Sequence, residues 1–293
     1  MRLAAIDIGT NACRLLITEV AHEVNEKPVF SKLNLIRVPL RLGFDVFEIG
    51  IISKEKTEMI LQTMKAYAHL MNAYKVEKSI AVATSAMRDA KNREEVVRNI
   101  YLETGIEIKV ITGDFEASLI YENHIAENLN ENSNYLYIDV GGGSTELTYF
   151  ANKELVFKKS YNLGTIRLLK NPEIESVWNE LKDNIRDKIK GQNKITAIGT
   201  GGNINKIFSM SKKKEGKPLS AELLKDYYRE FSACTLEQRI KIYNLREDRA
   251  DVIVPALLIY IQIMKWADIS EILVPKIGLA DGLIQHLYAE LTT

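Results

Sequence analysis

Ile6-Asp7-Ile8-Gly9 and Ile138-Asp139-Val140-Gly141 carry one signal twice: an apolar strand ending in Asp, one more apolar residue, then Gly. Small or polar residues follow each copy, and then a further strand pattern, Arg14 to Val20 in the first case and Glu146 to Phe150 in the second. Outward from the first copy, strands are predicted at Leu3 to Ile8, Val29 to Val38, Ile80 to Ala83 and Ile106 to Ile111. Helices are predicted from Ser53, a good N-cap, to about Asn72, over Arg93 to Leu102 and over Asp114 to Asn128. The order is β-β-β-α-β-α-β-α. The Asn-rich run from Asn128 to Asn134 then reads as a boundary, and the pattern restarts. Strands at Tyr135 to Val140, Glu146 to Phe150 and Glu154 to Ser160 precede a long helical stretch to about Lys190. A strand at Ile195 to Ile198, helical patterns over Ile204 to Trp266, a strand at Ile272 to Val274 and a last helix after Gly282 complete the chain. Asp and Gly also punctuate ordinary turns. Two copies at equivalent places in a repeated order point instead to duplicated α/β domains, expected over residues 1–128 and 129–293. The final helix, about 282–291, is expected to return to the first domain.

Composition narrows the function classes. The 293 residues hold 39 Lys+Arg against 39 Asp+Glu, a neutral balance without the basic footprint of a nucleic-acid coat. With 46% hydrophobic and 27% charged residues the chain is globular rather than disordered. Two cysteines, Cys13 and Cys234, cannot build a disulfide framework or a Cys-based zinc site. Together with an N-terminus that reaches Asp7 before any signal-peptide core could form, this predicts a cytoplasmic protein. The longest apolar stretch, Val252 to Met264, is interrupted by Pro255 and Gln262 and reads as a buried helix, so no membrane is expected as a partner.

A strand that ends in Asp and a Gly-containing turn can serve a phosphate chain in two ways. Glycine lets backbone N–H groups converge on an anion, and the carboxylate can hold Mg²⁺ directly or through water. Asp7, Gly9, Thr10 and Asn11 form one such loop. Asp139, Gly141, Gly142, Gly143, Ser144, Thr145 and Glu146 form the stronger one, because three consecutive glycines pack nothing in a sheet hairpin. Gly201 and Gly202 follow a third strand and open a helix, which suits phosphate or nucleotide contact at its N-terminus. Arg88, in Thr84-Ser85-Ala86-Met87-Arg88, reads either as a phosphate contact at a strand's carboxyl end or as a solvated residue beside a capped helix. Glu116, at the start of a helix, is equally readable as an acid that complements the helix dipole.

Taken in this order, these motifs resemble the exopolyphosphatase / guanosine pentaphosphate phosphohydrolase family over nearly the whole chain. The resemblance rests on Ala5 to Asn11, Ala83 to Ala90, Ile111 to Ala117, Asp139 to Leu147, Gly199 to Gly202 and Arg249 to Ile253. It implies duplicated actin-like ATPase (ribonuclease H-like) domains with an interdomain cleft, Asp7 and Asp139 facing one another across it. It implies a phosphohydrolase that removes terminal phosphate from inorganic polyphosphate, guanosine pentaphosphate or both. Glu116 matches the family's catalytic glutamate. Asp139, Gly141, Ser144 and Glu146 match its phosphate- and metal-binding loop, and Asp7, Thr10, Asn11 and Arg88 match further phosphate-site positions. The implied cofactor is Mg²⁺, with Asp139, Glu146 and Asp7 as its carboxylates. The oligomeric state is left open, a homodimer included. An ATPase or kinase of the same superfamily, and a guanosine tetra- or pentaphosphate sensor with weak turnover, would use the same loops and stand as alternatives.

The chain departs from the family pattern at Ala12, where a hydroxyl residue is usual, at Phe115, where an acid is frequent, and at Ala280, where an Arg is usual. Long members carry a further helical C-terminal region. Its absence here favours short polyphosphates or nucleotides as substrates.

Overall fold

The computed structural model of the chain describes residues 1–21, 27–122, 134–152, 154–171, 174–189, 191 and 195–292. Two compact units divide it, Met1–Asn123 with Gly278–Thr293, and His124–Ile277. The Asn-rich boundary expected at 128–134 lies outside the described residues except for Asn134.

The first unit opens with β1 (Arg2–Ile8), β2 (Cys13–Ala21) and β3 (Val29–Val38), which form an antiparallel meander. Then come α1 (Leu42–Ile49), α2 (Lys54–Ala73), β4 (Lys78–Ala83), α3 (Ser85–Asp89), α4 (Arg93–Thr104), β5 (Ile108–Val110) and α5 (Gly113–Glu122). The sheet order is β3-β2-β1-β4-β5, with β4 parallel to both β1 and β5. Strand β1 is apolar at nearly every position because both of its faces are covered. Ala4, Ile6 and Ile8 pack with Ile60, Met64, Tyr67 and Met71 of α2, while Leu3 and Ala5 face the opposite core layer. Helix α2 turns those four residues inward at helical spacing, and its cap forms as the sequence predicts, the Ser53 side chain accepting from Lys56 N–H at 3.2 Å.

The second unit repeats this plan. It runs β6 (Asn134–Val140), β7 (Thr145–Ala151), β8 (Glu154–Tyr161), α6 (Thr165–Lys170), α7 (Glu175–Lys188), β9 (Ile195–Thr200), α8 (Gly202–Met210), β10 (Leu219–Ser220), α9 (Ala221–Ala233), α10 (Leu236–Tyr243), α11 (Glu247–Ala250), α12 (Ile253–Trp266) and β11 (Glu271–Leu273). Its sheet reads β8-β7-β6-β9-β11-β10, so five strands match the first sheet in order and in direction. This is the duplicated actin-like, ribonuclease H-like α/β fold. The last helix, α13 (Leu279–Thr292), belongs to the first unit, where Leu279, Leu283, Ile284 and Leu287 bury against Leu3, Ala5 and Leu16.

Two expected helical stretches are subdivided. The one expected to reach Lys190 is α6 and α7, and the one from Ile204 to Trp266 is interrupted by β10 and by loops. Breakers explain the second case. Gly216 sits at φ 77°, Thr235 and Gln238 form a capping box that starts α10, and Asn244 ends it in the left-handed region. Helix α1 has no counterpart in the sequence reading. It is eight residues long, between Arg41 and Gly50, both left-handed, too short for its periodicity to register. Among the described residues no helix is long and apolar enough to cross a membrane.

Candidate functional site

The duplication extends to the loops. Gly9 N–H donates to the Ala12 carbonyl at 3.1 Å, closing the β1–β2 turn, and Gly141 N–H donates to the Ser144 carbonyl at 2.9 Å, closing the β6–β7 turn. Each loop rests its carbonyls on the chain that follows the third strand of its meander.

In the second unit Thr165 N–H donates to the Gly141 carbonyl at 3.0 Å, and Ile166 and Arg167 N–H donate to the Gly142 carbonyl at 2.8 and 3.1 Å. The Arg167 guanidinium adds Nε–H to the Gly143 carbonyl at 2.8 Å. In a trans peptide the carbonyl and the next N–H point in opposite directions. Fixing these carbonyls toward α6 therefore turns the N–H groups of Gly142, Gly143 and Ser144 the other way. A run of such amides is an anion cradle. Gly164 makes the close seating possible: a Cβ there would stand 2.5 Å from the Gly142 carbonyl carbon and nearer still to Gly143. The Thr145 hydroxyl, read from sequence as a phosphate contact, is buried and donates to the Leu163 carbonyl, so it fastens the loop.

The first unit builds the same device with different residues. Gly43 N–H donates to the Thr10 carbonyl at 3.0 Å and Arg41 N–H to the Asn11 carbonyl at 2.9 Å, which turns the Asn11 and Ala12 amides away from α1. The Thr10 hydroxyl accepts from Ala86 N–H at 3.3 Å, tying this loop to the start of α3. Arg88, on α3, donates through Nη1 to the Ile111 carbonyl at 2.8 Å, just ahead of α5. Thr112 caps α5, its hydroxyl accepting from Phe115 N–H at 3.2 Å, and half-buried Glu116 follows in the first turn. The strand ends of β1, β4 and β5 thus present Asp7, Thr10, Asn11, Arg88 and Glu116 from connected segments.

The two aspartates differ in their neighbours. In antiparallel pairs, directly opposite residues share a face. Asp7 stands opposite Arg14, which grips it at 2.6 Å. Asp139 stands opposite Glu146, which is buried and accepts from the Ser160 hydroxyl at 2.8 Å. The first pair neutralises itself. The second brings two acids together, an arrangement that a cation stabilises. Among the described residues no cluster of three or more His, Cys, Asp or Glu forms a complete metal cage. Mg²⁺ does not need one, since it is commonly held by one or two carboxylates, waters and substrate phosphates. Asp139 and Glu146 offer two carboxylates to such an ion, and Asp7, in the first unit, is a carboxylate paired with Arg14.

Gly201 and Gly202 open α8 beside Asp139. Gly201 has φ 107°, and a Cβ there would lie 2.9 Å from Asp139 Oδ1 and 3.0 Å from the Val140 carbonyl oxygen. Residues that the sequence reading did not single out stand close by. Arg249 packs its guanidinium over Gly202 and donates to Asn203 Oδ1 at 3.0 Å. Its signal was Arg249-Ala250-Asp251 within a family-like segment; Arg14, Gly164 and Arg167 carried none. Of the departures, Ala12 is buried with its carbonyl closing the turn, Ala280 faces the core layer under α13, and Phe115 meets His286 edge-on with ring centroids 5.8 Å apart.

The profile of the Ppx/GppA phosphatase family matches residues 19–290. The chain is 36% identical over 173 residues to the bifunctional 3-dehydroquinate synthase/phosphatase of Fusobacterium nucleatum, a match to 56% of this chain and 25% of that protein. It is 25% identical over 305 residues to exopolyphosphatase 1 of Mycobacterium tuberculosis, covering 97% of this chain and 87% of the other. Among solved structures, the Aquifex aeolicus Ppx/GppA family member is similar over 100% of this chain and 99% of its own, with TM-score 0.77 and 26% identity. An exopolyphosphatase from Cytophaga hutchinsonii is similar over 99% and 98%, with TM-score 0.83 and 25% identity. The profile match, over almost the whole length of a chain with these paired glycine loops, shows that this protein belongs to the Ppx/GppA phosphatase family.

Proposed function

We propose that this chain hydrolyses the terminal phosphoanhydride bond of inorganic polyphosphate, of guanosine pentaphosphate, or of both. The observation that carries this reading is the Gly142, Gly143 and Ser144 amide run beside the paired acids Asp139 and Glu146. Backbone donors and a cation-ready carboxylate pair are what a polyanion's end requires.

Phosphoryl transfer asks the protein mainly for positioning and charge stabilisation. Asp139 and Glu146 would hold Mg²⁺, which, when bound, neutralises phosphate charge. The glycine-loop amides orient the terminal phosphate. Arg88, anchored on the Ile111 carbonyl, adds positive charge. Glu116 takes a proton from water as the water oxygen bonds to the terminal phosphorus. The bond from that phosphorus to the bridging oxygen breaks, and its electron pair leaves with the shortened chain.

The test is phosphate release from tripolyphosphate, long polyphosphate, guanosine pentaphosphate and ATP, side by side, with Mg²⁺ and with excess chelator. Release from at least one of the first three, abolished by chelator, is expected. Turnover of ATP alone would indicate an ATPase, and tight guanosine pentaphosphate binding without release would indicate a sensor. Asp139→Asn is expected to lower turnover and raise the Mg²⁺ concentration needed for half-maximal rate while the melting temperature holds. Unchanged Mg²⁺ dependence would remove Asp139 from the metal set.

A further inference from the structure

Helix α12 is almost wholly apolar on its inner side: Ile253, Ala256, Leu257, Ile259, Ile263 and Met264 are all buried. Tyr260 is the exception. It is 0% exposed, so its hydroxyl sits where an unsatisfied polar group would be costly and a phenylalanine would pack equally well. The hydroxyl donates to the Thr200 carbonyl, at the end of β9. Thr200 is itself buried and pairs in register with Asp139 of β6. A point at the Cβ position of Gly201 lies 3.7 Å from the Tyr260 oxygen, 2.9 Å from Asp139 Oδ1 and 3.0 Å from the Val140 carbonyl oxygen. One hydroxyl thus lies beneath the meeting point of the two glycine-bearing loops of this unit.

We infer that Tyr260 is a positioning residue, its hydroxyl fixing the Thr200–Gly201 peptide against Asp139. The inference rests on the function proposed above, in which these loops hold the terminal phosphate and its metal. Its physical basis is the planarity of the peptide. With the Thr200 carbonyl held toward α12, the Gly201 N–H points to the other side of the turn. The left-handed Gly201 can adopt other conformations at little cost, so this turn needs an external constraint that a stiffer residue would supply by itself. Burial raises the phenol well above its ordinary pKa, and the Asp139 carboxylate pushes it the same way. The group therefore remains a hydrogen-bond donor throughout the working pH range.

The experiment compares wild type, Tyr260→Phe and Leu257→Ala, each as the full chain. Steady-state phosphate release with Mg²⁺, thermal melting and hydrogen exchange of the peptide spanning residues 199–204 are measured. Tyr260→Phe is expected to lower kcat by roughly 10- to 10²-fold, the scale of small misplacements in an active site. KM should stay near wild type, melting should fall by only a few degrees because the Thr200 carbonyl loses its donor, and amide exchange should quicken within residues 199–204 alone. Leu257→Ala removes packing from the same helix and keeps the hydroxyl, so it should lower melting without lowering kcat. The proposal is overturned if Tyr260→Phe keeps wild-type kcat, or if Leu257→Ala loses kcat equally. A Tyr260→Phe chain that does not fold overturns it too, by making the hydroxyl a requirement of stability. Should wild type release phosphate from none of the candidate substrates, the functional reading fails separately, and local exchange at residues 199–204 still decides whether the hydroxyl fixes the turn.

Discussion

Glu116→Gln is expected to reduce phosphate release by roughly 10²- to 10⁴-fold, the usual contribution of a general base. The change keeps the size and most of the hydrogen-bonding shape of the side chain but removes its ability to accept a proton. Substrate binding should hold or tighten, because a negative charge leaves a site for polyanions. The competing role, an acid complementing a helix dipole, predicts about 0.3–1 kcal/mol of lost stability and near-normal turnover. Glu116 shares the first turn of α5 with Asp114, behind the Thr112 hydroxyl that accepts from Phe115 N–H at 3.2 Å, a position that suits either role. Kinetics and thermal melting of the one variant separate the two roles. Turnover within a few-fold of wild type would remove Glu116 from the chemistry.

Gly164→Ala should be nearly as damaging, from a residue that touches no substrate. The added methyl would enter the backbone of Gly142 and Gly143, and backbone cannot yield as a flexible side chain does. The loop must lift from its support. That breaks the donations from Thr165, Ile166 and Arg167 that direct its carbonyls. A shift of about 1 Å at the amide run corresponds to about 10²-fold in kcat, and overpacking to about 1–3 kcal/mol of stability. The expected result is a folded protein with a lower melting temperature and a collapsed kcat. Lost stability with full activity would mean that the glycine loop lies outside the site. Gly202→Ala is the useful contrast, because the crowding there falls mainly on the end of the Arg249 side chain, which can move.

What could be read from the sequence was whatever depends on local chemistry. Asp7 and Asp139 end equivalent strands, and the duplicated sheet follows from that repeat. Ser53 caps α2 because a short polar side chain before an apolar-periodic run has few other uses. Less legible was what those loops rest on. Gly164 and Arg167 support Gly143 from 21 and 24 positions away, through contacts to backbone atoms that every residue possesses. Tyr260 lies in an apolar run whose pattern says only that it is buried. Arg14 falls inside a strand as one charge among many, and only the pairing register places it opposite Asp7 while Glu146 stands opposite Asp139. That difference between the neighbours of the two aspartates cannot be read before the register is known. Thr145 stands in a phosphate-like motif, and only the folded chain shows its hydroxyl donating to the Leu163 carbonyl.

The central claim is that water attacks the terminal phosphorus of a phosphate chain. It is tested most directly by hydrolysis of tripolyphosphate and guanosine pentaphosphate in ¹⁸O-enriched water with Mg²⁺, the products separated and weighed by mass spectrometry. One ¹⁸O atom is expected in each orthophosphate released and none in the shortened chain. Label in the shortened product, internal cleavage, or no orthophosphate from these two and from long polyphosphate alike would contradict it.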